Sequence, residues 1–289
     1  VNSFNLGLDM AFFNSRLKGT FDYFYYVTKG GLMSPGDRYT TPLGKALPQI
    51  KSNSEQRREG VELTMRWSDT TPRKFAYEVG FNMTYFNSLW KVKADEALSD
   101  LMNPYKRQTH QADYYGVGYI DTGFYQNKED ILNSPRRLGS TQTKLGDIGY
   151  TDINGDGKID GEDQVRVGKP TLPHFTYALD FSFGYEGFTL SGLFYGTGER
   201  YMTLGDRYQK GEGKYLYYEN QLNYWRPDNT DADFPRLSIS SGVNGNNNQV
   251  SSTFWMRNAS YLRLKNLQLS YDFKYKYLKR CDWLQMCRV

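Results

Sequence analysis

The chain has 289 residues, of which 16% are aromatic and 28 are glycine, and its formal net charge is +4. This composition favours strands and turns over helices, and no run of about 18 apolar residues could form a membrane-spanning helix. The basic residues are scattered, which argues against a nucleic-acid partner. The mean hydropathy of −0.72 is typical of soluble proteins, but membrane barrels alternate apolar and polar residues and reach similar averages.

The first residues already show the alternation of a β-strand. Residues 5–13 place apolar side chains on one face and small or polar side chains on the other. After Asn14 and Ser15, residues 16–27 repeat the alternation, with Phe21 among the apolar positions. Two strands joined by so short a turn predict a hairpin.

Two more hairpins and a final strand follow the same pattern. The predicted hairpins comprise residues 61–67 with 75–85, and residues 175–185 with 188–194. A seventh strand is predicted at residues 261–273, but its alternation changes phase between Leu264 and Leu267. One extra residue near Lys265 and Asn266 would cause this change, so we expect a β-bulge there.

Short turns alternate with long connections along the chain. The short turns lie at Asn14, Ser68 and Glu186. The long connections lie near residues 28–58, 88–174 and 197–258. Transmembrane barrels have short periplasmic turns, long extracellular loops and strands of about ten residues. The pattern therefore predicts an all-β fold, a segment of an antiparallel transmembrane β-barrel with long extracellular loops. A large soluble β-sandwich is the alternative.

An acidic segment, Asp152–Asp163 (DINGDGKIDGED), lies within the second long connection. Its oxygen-bearing residues alternate as in a calcium loop, in which side chains converge on one hard cation and a glycine, here Gly157, makes the sharp turn. The predicted ligands are Asp152, Asn154, Asp156, the backbone carbonyl of Lys158, Asp160 and Asp163. Aspartate replaces the usual glutamate at the last position, and its shorter side chain predicts weak, structural binding of Ca²⁺. The alternative is a solvated acidic turn without an ion.

Other features of the long connections are modest. Short helices are predicted at residues 128–133 and 217–225, and a low-complexity polar turn at 241–252. Loop aromatic residues could stack on sugars, contact apolar ligand faces, or pack. They comprise Tyr114, Tyr115, Tyr119, Tyr215, Tyr217, Tyr218 and Trp225.

Residues suited to catalysis are sparse. His110 and His174 are the only histidines, and neither has the spacing of a catalytic triad or of a metal site. Cys281 and Cys287 belong to no ligand cluster, so neither zinc binding nor redox chemistry is predicted. We therefore expect the protein not to be an enzyme.

Five segments, in order along the chain, together resemble one protein family. They are residues 4–32, 59–67, 146–196, 224–237 and 259–273, which include EGVELTMRW, YWRPDNTDADFPRL and ASYLRLKNLQLSYDF. They resemble the C-terminal barrel region of the SusC/RagA family of TonB-dependent transporters, which lie in the outer membrane of Bacteroidota-like bacteria.

The resemblance implies import of glycan fragments or peptides. It also implies two partners, a SusD-like surface lipoprotein that closes over the barrel and the TonB complex that supplies energy. A complete barrel of this kind has about 22 strands, so the seven strands predicted here would form part of a wall in outer-membrane lipid. The plug domain and the final strands are expected to lie outside this chain. The alternative function is a secreted or surface β-rich glycan-binding protein with a structural calcium loop.

Overall fold

The computed structural model describes residues 1–33, 50–139, 142–168, 170–205, 208–209, 218–237, 243–278 and 288–289. Its main feature is one antiparallel sheet in which seven long strands lie side by side in chain order. They are β1 (Asn2–Phe12), β2 (Leu17–Lys29), β3 (Glu55–Thr70), β4 (Ala76–Val92), β5 (Phe175–Tyr185), β6 (Phe188–Thr197) and β7 (Tyr261–Tyr271). The predicted strands and their hairpin order are confirmed.

The strand register places apolar side chains of all seven strands on one face. One row across the sheet pairs Leu8 with Phe21, Phe21 with Leu63, Leu63 with Met83, and Met83 with Tyr177. Because side chains alternate along each strand, one such row fixes the face of every other residue. The alternation read from the sequence therefore becomes a continuous apolar band.

This apolar face is not covered by another sheet. Leu6, Leu8, Leu267 and Leu269 remain 59%, 56%, 58% and 67% exposed. A β-sandwich would bury them against a second sheet, but the other sheets formed by the described residues have two strands each. The β-sandwich alternative is therefore wrong, and the fold is an open segment of a barrel wall.

The opposite face of the sheet carries charges. Arg66 forms ion pairs with Glu78 and with Asp180, the latter at 3.3 Å, and so links β3, β4 and β5. Asp22 and Glu62 are neighbours in register on the same face. A charged face opposite an apolar face is the arrangement of a barrel wall between a lumen and lipid.

The three short turns lie at one end of the sheet. Asn14 and Ser15 have φ angles of 57° and 65°, and Glu186 and Gly187 have φ angles of 47° and 86°. Such left-handed conformations match the right-handed twist of the strands in tight hairpins. Because the strands are antiparallel, all three long connections leave from the opposite end, as predicted.

The predicted β-bulge is present in β7. Leu193 of β6 pairs with Asn266, whereas the next residue, Phe194, pairs with Leu264. Lys265 is therefore the extra residue, and it restores the apolar face of β7 on both sides of the bulge.

Short elements fill the long connections. The helices are α1 (Leu98–Met102) and α2 (Lys128–Asn133), and 3₁₀ helices span Gly161–Asp163, Glu219–Leu222, Val243–Gln249, Thr253–Trp255 and Phe273–Tyr275. Short strands span Leu32–Met33, Ile50–Lys51, Gln111–Ala112, Gly116–Gly118, Asp121–Phe124, Arg136–Arg137, Ile148–Tyr150, Lys158–Ile159, Val165–Val167, Tyr201–Thr203 and Met256–Asn258. None of the helices in the described part of the chain is long and apolar enough to cross a membrane.

The two predicted loop helices had different outcomes. The helix at 128–133 is confirmed, and Asn127 caps it by accepting a hydrogen bond from the backbone N–H of Asp130. The predicted helix at 217–225 is wrong over its described residues, which contain only the 3₁₀ helix Glu219–Leu222. The backbone of Asn223 and Trp225 bonds to Phe234 instead. Pairing with a residue about ten positions further along the chain thus replaces the local helix.

The main hydrophobic core lies outside the sheet, in the described residues of connections 93–174 and 198–260, here called the loop layer. The buried members of this core are Tyr119, Ile148, Tyr150, Ile159, Phe234 and Trp255. Both connections contribute to it, so each stabilises the other. The loops thus form a packed layer at one end of the wall.

Candidate functional site

The acidic loop is fixed to the loop layer at both ends. It begins just after the buried strand Ile148–Tyr150. Its own Ile159 is fully buried in the same core, and Arg137 pairs with Ile159 in a short parallel ladder. The intervening turn, with Asn154 and Asp156, faces solvent. The acidic loop is therefore an exposed turn that is held at both ends by buried residues.

Asp163, the last predicted ligand, forms hydrogen bonds to backbone groups inside the loop. It is fully buried, and its Oδ1 accepts hydrogen bonds from the backbone N–H groups of Ile153 (2.9 Å) and Asn154 (3.3 Å). Its Oδ2 accepts from the N–H of Asp160 at 2.8 Å. A buried carboxylate is tolerated when it accepts several hydrogen bonds. Asp163 therefore joins the start and the end of the loop.

Asp152, the first predicted ligand, organises the tip of the loop. Its Oδ1 accepts from the N–H of Gly155 at 2.7 Å and its Oδ2 from the N–H of Gly157 at 2.8 Å. Gly157 has a φ of 84°, which side chains rarely adopt. Desolvation acts to raise the pKa of Asp152, but the N–H groups of Gly157, Gly155 and Asp156 together hold it below its usual value.

The remaining predicted side-chain ligands each make a local turn. Asn154, Asp156 and Asp160 accept hydrogen bonds from the N–H groups of Asp156 (2.9 Å), Lys158 (2.9 Å) and Glu162 (2.8 Å), respectively. Among the described residues, no group of three or more His, Cys, Asp or Glu side chains is arranged to hold a metal. A carboxylate oxygen that accepts one hydrogen bond keeps further acceptor capacity. Calcium binding stays a prediction.

A buried ion pair that the sequence analysis missed lies beside the acidic loop. Asp147 is fully buried, and its Oδ1 lies 2.6 Å from Nε of Arg236. The same carboxylate accepts hydrogen bonds from Asn248 Nδ2 (3.0 Å) and from the N–H of Lys144 (2.9 Å). The only signal in the sequence was that both charges lie within the segments that carry the family resemblance.

Asparagines from the presumed polar turn complete this network. Asn247 is only 3% exposed, and its Nδ2 donates to the carbonyl of Ile148 at 2.7 Å. Asn248 Oδ1 accepts from the N–H of Ile148 at 2.9 Å, and its carbonyl accepts from Trp255 Nε1. Over its described residues, the predicted polar turn at 241–252 contains the 3₁₀ helix Val243–Gln249, and its Asn247 is buried. The amides satisfy backbone groups that the buried strand leaves unpaired.

The loop aromatic residues divide into core and surface groups. Tyr119 and Trp225 are 5% and 6% exposed and pack inside the loop layer. Tyr218 is 40% exposed and stacks on Tyr208 with a centroid distance of 4.9 Å. Tyr114 and Tyr115 are half-buried. Tyr215 and Tyr217 lie outside the described residues, as do Cys281 and Cys287.

A cavity of about 530 Å³ lies within the loop layer, next to the wall. Its lining includes Tyr105, Tyr115, Ile120 and Arg166. The Arg166 side chain lies over the ring of Tyr115, with Cζ 4.7 Å from the ring centroid, and Nη2 donates to the carbonyl of Ala112. Burial lowers the pKa of Arg166.

A polar junction connects this region to the charged face of the wall. Gln56 Nε2 donates to Asp113 Oδ2 at 2.6 Å and to Ser88 Oγ at 3.3 Å. Arg58 Nη2 donates to the hydroxyl of Tyr114 at 3.1 Å. The loop layer is thereby joined to β3 and β4 by side chains on the lumen-type face.

The two histidines lie apart from each other in the structure. His174 directly precedes β5, and its ring centroid lies 5.7 Å from that of Phe86. Burial lowers the pKa of His174. His110 is exposed, with a φ of 64°, and its N–H donates to the carbonyl of Trp90.

Comparisons with known proteins agree on one architecture. No protein-family model matches the chain. It is 27% identical to TonB-dependent receptor P3 of Formosa agariphila, covering 99% of this chain and 28% of that protein. It is 23% identical to TonB-dependent receptor SusC of Bacteroides thetaiotaomicron, covering 95% of this chain and 26% of SusC. The chain thus spans about a quarter of the length of these relatives.

Solved structures show the same fold. The RagAB peptide transporter superposes with a TM-score of 0.64 at 19% identity, covering 93% of this chain and 28% of that chain. The RagAB peptide importer in its open-open state superposes with a TM-score of 0.63 at 21% identity, with the same coverage. The seven-stranded wall and its loop layer therefore correspond to one part of a larger barrel.

Proposed function

We propose that this chain is a barrel segment of a SusC/RagA-type TonB-dependent transporter of the outer membrane, and that the complete protein imports nutrients across that membrane. The wall separates lipid from the lumen through which the nutrient passes. The loop layer forms part of the extracellular mouth.

The observation that carries this proposal is that the sheet has one apolar face and one charged face. Leu6, Leu8 and Leu269 are more than half exposed on the apolar face. Removing one such side chain from water is favourable by about 1.5–3 kcal/mol of free energy. A band of these side chains across seven strands therefore strongly favours contact with lipid over contact with water. The ion pairs of Arg66 with Glu78 and Asp180 lie on the other face. Charges are retained there because that face borders an aqueous or protein-filled lumen.

We propose two partners for the complete protein. The first is a TonB complex that supplies energy through a plug region outside this chain. The second is a SusD-like surface lipoprotein that closes over the extracellular mouth. The packed core of Ile148, Phe234 and Trp255 supports the second partner, because it gives the mouth an ordered surface against which a lid can dock.

The proposed cargo is a glycan fragment or a peptide. Exposed tyrosines such as Tyr105 and Tyr218, 54% and 40% exposed, suit either class, since their rings offer flat faces and their hydroxyls offer hydrogen bonds. The relatives compared above are named as receptors, importers or transporters. We accordingly propose a role in transport rather than in catalysis.

We also propose that the acidic loop binds Ca²⁺ weakly and structurally. The low pKa of Asp152 keeps its carboxylate ionised. The hydrogen bonds of Asp152, Asn154, Asp156 and Asp160 to backbone N–H groups hold the oxygens near one turn. Together with Asp163, these side chains supply the oxygen ligands that a hard cation prefers.

Uptake in the native bacterium tests the main proposal. Deleting the full-length gene should abolish growth on one glycan or peptide source and abolish uptake of that source in labelled form. Depleting TonB should have the same effect. Unchanged uptake of every glycan and peptide source tested would contradict import. A secreted glycan-binding protein, the alternative, would instead stay monodisperse without detergent and be absent from the outer-membrane fraction.

A further inference from the structure

The cavity within the loop layer has the size and lining of a small-molecule site. Its volume of about 530 Å³ lies within the range of about 300–1,000 Å³ that is usual for ligand pockets. Tyr105 and Ile120 are 54% and 37% exposed, so the cavity is open on the side that they line. Ala112 pairs with Leu89 of β4, which places the opposite side of the cavity against the wall.

One charged side chain in this lining lacks a full set of partners. Arg166 stacks on Tyr115, and its Nη2 donates to the carbonyl of Ala112. Its Nη1 is buried and has no hydrogen-bond partner within the part of the chain that the structure describes. A guanidinium stays charged and carries five donors in one plane. A buried donor of this kind normally has an acceptor.

The two carboxylates whose charge acts on Arg166 already accept hydrogen bonds from other groups. Asp113 accepts hydrogen bonds from Gln56 Nε2 at 2.6 Å and from the N–H of Tyr114 at 2.8 Å. Glu96 accepts from the N–H groups of Gln108 and Thr109, the latter at 3.0 Å. Both act on Arg166 only from a distance, through their charge. Among the described residues, none forms an ion pair with Arg166.

We propose that this cavity binds the carboxylate group of a short ligand. Arg166 is the charged partner of that carboxylate, and the rings of Tyr105 and Tyr115 contact the body of the ligand. A guanidinium that lacks an ion-pair partner attracts a carboxylate through its charge and through charge-assisted hydrogen bonds.

This inference rests on the proposed import function and narrows its cargo to acidic molecules. A peptide C-terminus and a uronic acid offer the same carboxylate chemistry. The cavity lies in the loop layer, which the proposed function places at the extracellular mouth of the barrel.

Direct binding to the purified full-length protein in detergent tests the inference. The first pair of probes is the dipeptide Ala-Phe with a free or an amidated C-terminus. The second pair is digalacturonic acid and its neutral counterpart galactobiose. In at least one pair, the carboxylate form should bind about tenfold more tightly than the neutral form. The pair that shows the preference identifies the source of the carboxylate.

A substitution tests whether Arg166 causes the preference for the carboxylate form of the probe. Arg166→Gln should bind both members of the pair with the Kd of the neutral form. The control is Arg226→Gln, because Arg226 also lies over a tyrosine, Tyr224, with Cζ 5.1 Å from the centroid, but does not line the cavity. This control should keep the wild-type preference.

A second variant covers the case in which Arg166→Gln fails to fold. Ile120→Asp introduces a carboxylate into the partly exposed lining of the same cavity, and it should abolish the preference by repulsion and by pairing with Arg166. The proposal is overturned if the wild type shows no preference in either pair, or if a folded Arg166→Gln or Ile120→Asp protein keeps it. Deletion of the gene could leave uptake unchanged while the purified protein keeps its binding preference. That outcome would contradict import but would support this site.

Discussion

Asp147 and Arg236, 89 positions apart in the chain, form a buried ion pair that joins the two connections of the loop layer. Asp147 is fully buried and the Arg236 side chain is only 16% exposed. The hydrogen bonds from Asn248 and Lys144 satisfy the remaining acceptor sites of the carboxylate. This pair therefore fixes the position of Gly146–Tyr150, from which the acidic loop starts.

Asp147→Asn should destabilise the loop layer by about 3–5 kcal/mol, because removing one partner leaves the Arg236 charge buried and uncompensated. Hydrogen exchange of the segment 146–151 in the full-length protein measures this local effect. The control is Asp69→Asn, which removes an exposed ion pair with Arg16 and should cost about 0–1 kcal/mol. Equal effects of the two substitutions would contradict a special role of Asp147.

Asp163→Ala should disorder the acidic loop even without calcium. The substitution leaves the N–H groups of Ile153, Asn154 and Asp160 without their acceptor, at about 1–3 kcal/mol for each group that stays buried. Protease sensitivity of the loop should rise, while the strands of the wall stay protected. Asp156→Ala, at an exposed position, should leave protease sensitivity unchanged in the absence of calcium.

Calcium should bind to the full-length protein and protect the same loop. The expected affinity is weak, in the range of about 10⁻⁴–10⁻³ M, since Asp163 replaces the usual glutamate. Calorimetry should detect binding in the wild type and a clear loss in Asp156→Ala. The absence of binding heat, together with identical thermal unfolding of wild type and Asp156→Ala at millimolar calcium, would remove the hypothesis.

The stability of the acidic loop should fall in acid because of Asp152. Its pKa in the folded loop lies below the unfolded value of 3.8. Its contribution is therefore complete above that value and is lost as the pH decreases through the folded-state pKa. Asp152→Asn should flatten this acid dependence when loop protection is followed from neutral to strongly acidic pH. Parallel pH curves for wild type and variant would contradict this assignment.

Gly60→Ala should weaken the wall, because a methyl group at this position would meet the backbone carbonyl of Tyr85 and the ring of Phe24. Overpacking of this kind typically costs about 1–3 kcal/mol. Gly184→Ala is the matched control, since the nearest atom to its methyl group would be at 3.7 Å. Thermal unfolding of the detergent-solubilised full-length proteins should separate the two variants.

The wall could be predicted because its determinants are local. Alternation with a period of two is set by the pleat of each strand, so the apolar positions around Phe21, Leu63 and Phe181 identified strands and faces without knowledge of their partners. Even the bulge at Lys265 appeared as a change of phase within one strand. The same local rule identified the tight turns at Asn14 and Glu186.

The loop layer could not be predicted in the same way. Its core joins Ile148 and Tyr150 to Phe234 and Trp255 from another connection. No periodic pattern links residues so far apart, and the amide-rich segment with Asn247 has a composition typical of a solvated turn. Only folding shows that its side chains pair with a buried strand.

The acidic loop combines features that its local sequence determines with features that long-range contacts determine. Its sequence determined the backbone turns, since Asp152, Gly157 and their neighbours form hydrogen bonds over a few residues. The tertiary structure decided the role of Asp163, which is buried and bonds to backbone groups at both ends of the loop. It also decided that Arg166 lies over Tyr115 in an open cavity. Burial and long-range contacts depend on chain segments that meet only after folding, whereas alternation and turns depend on neighbours that are already bonded together.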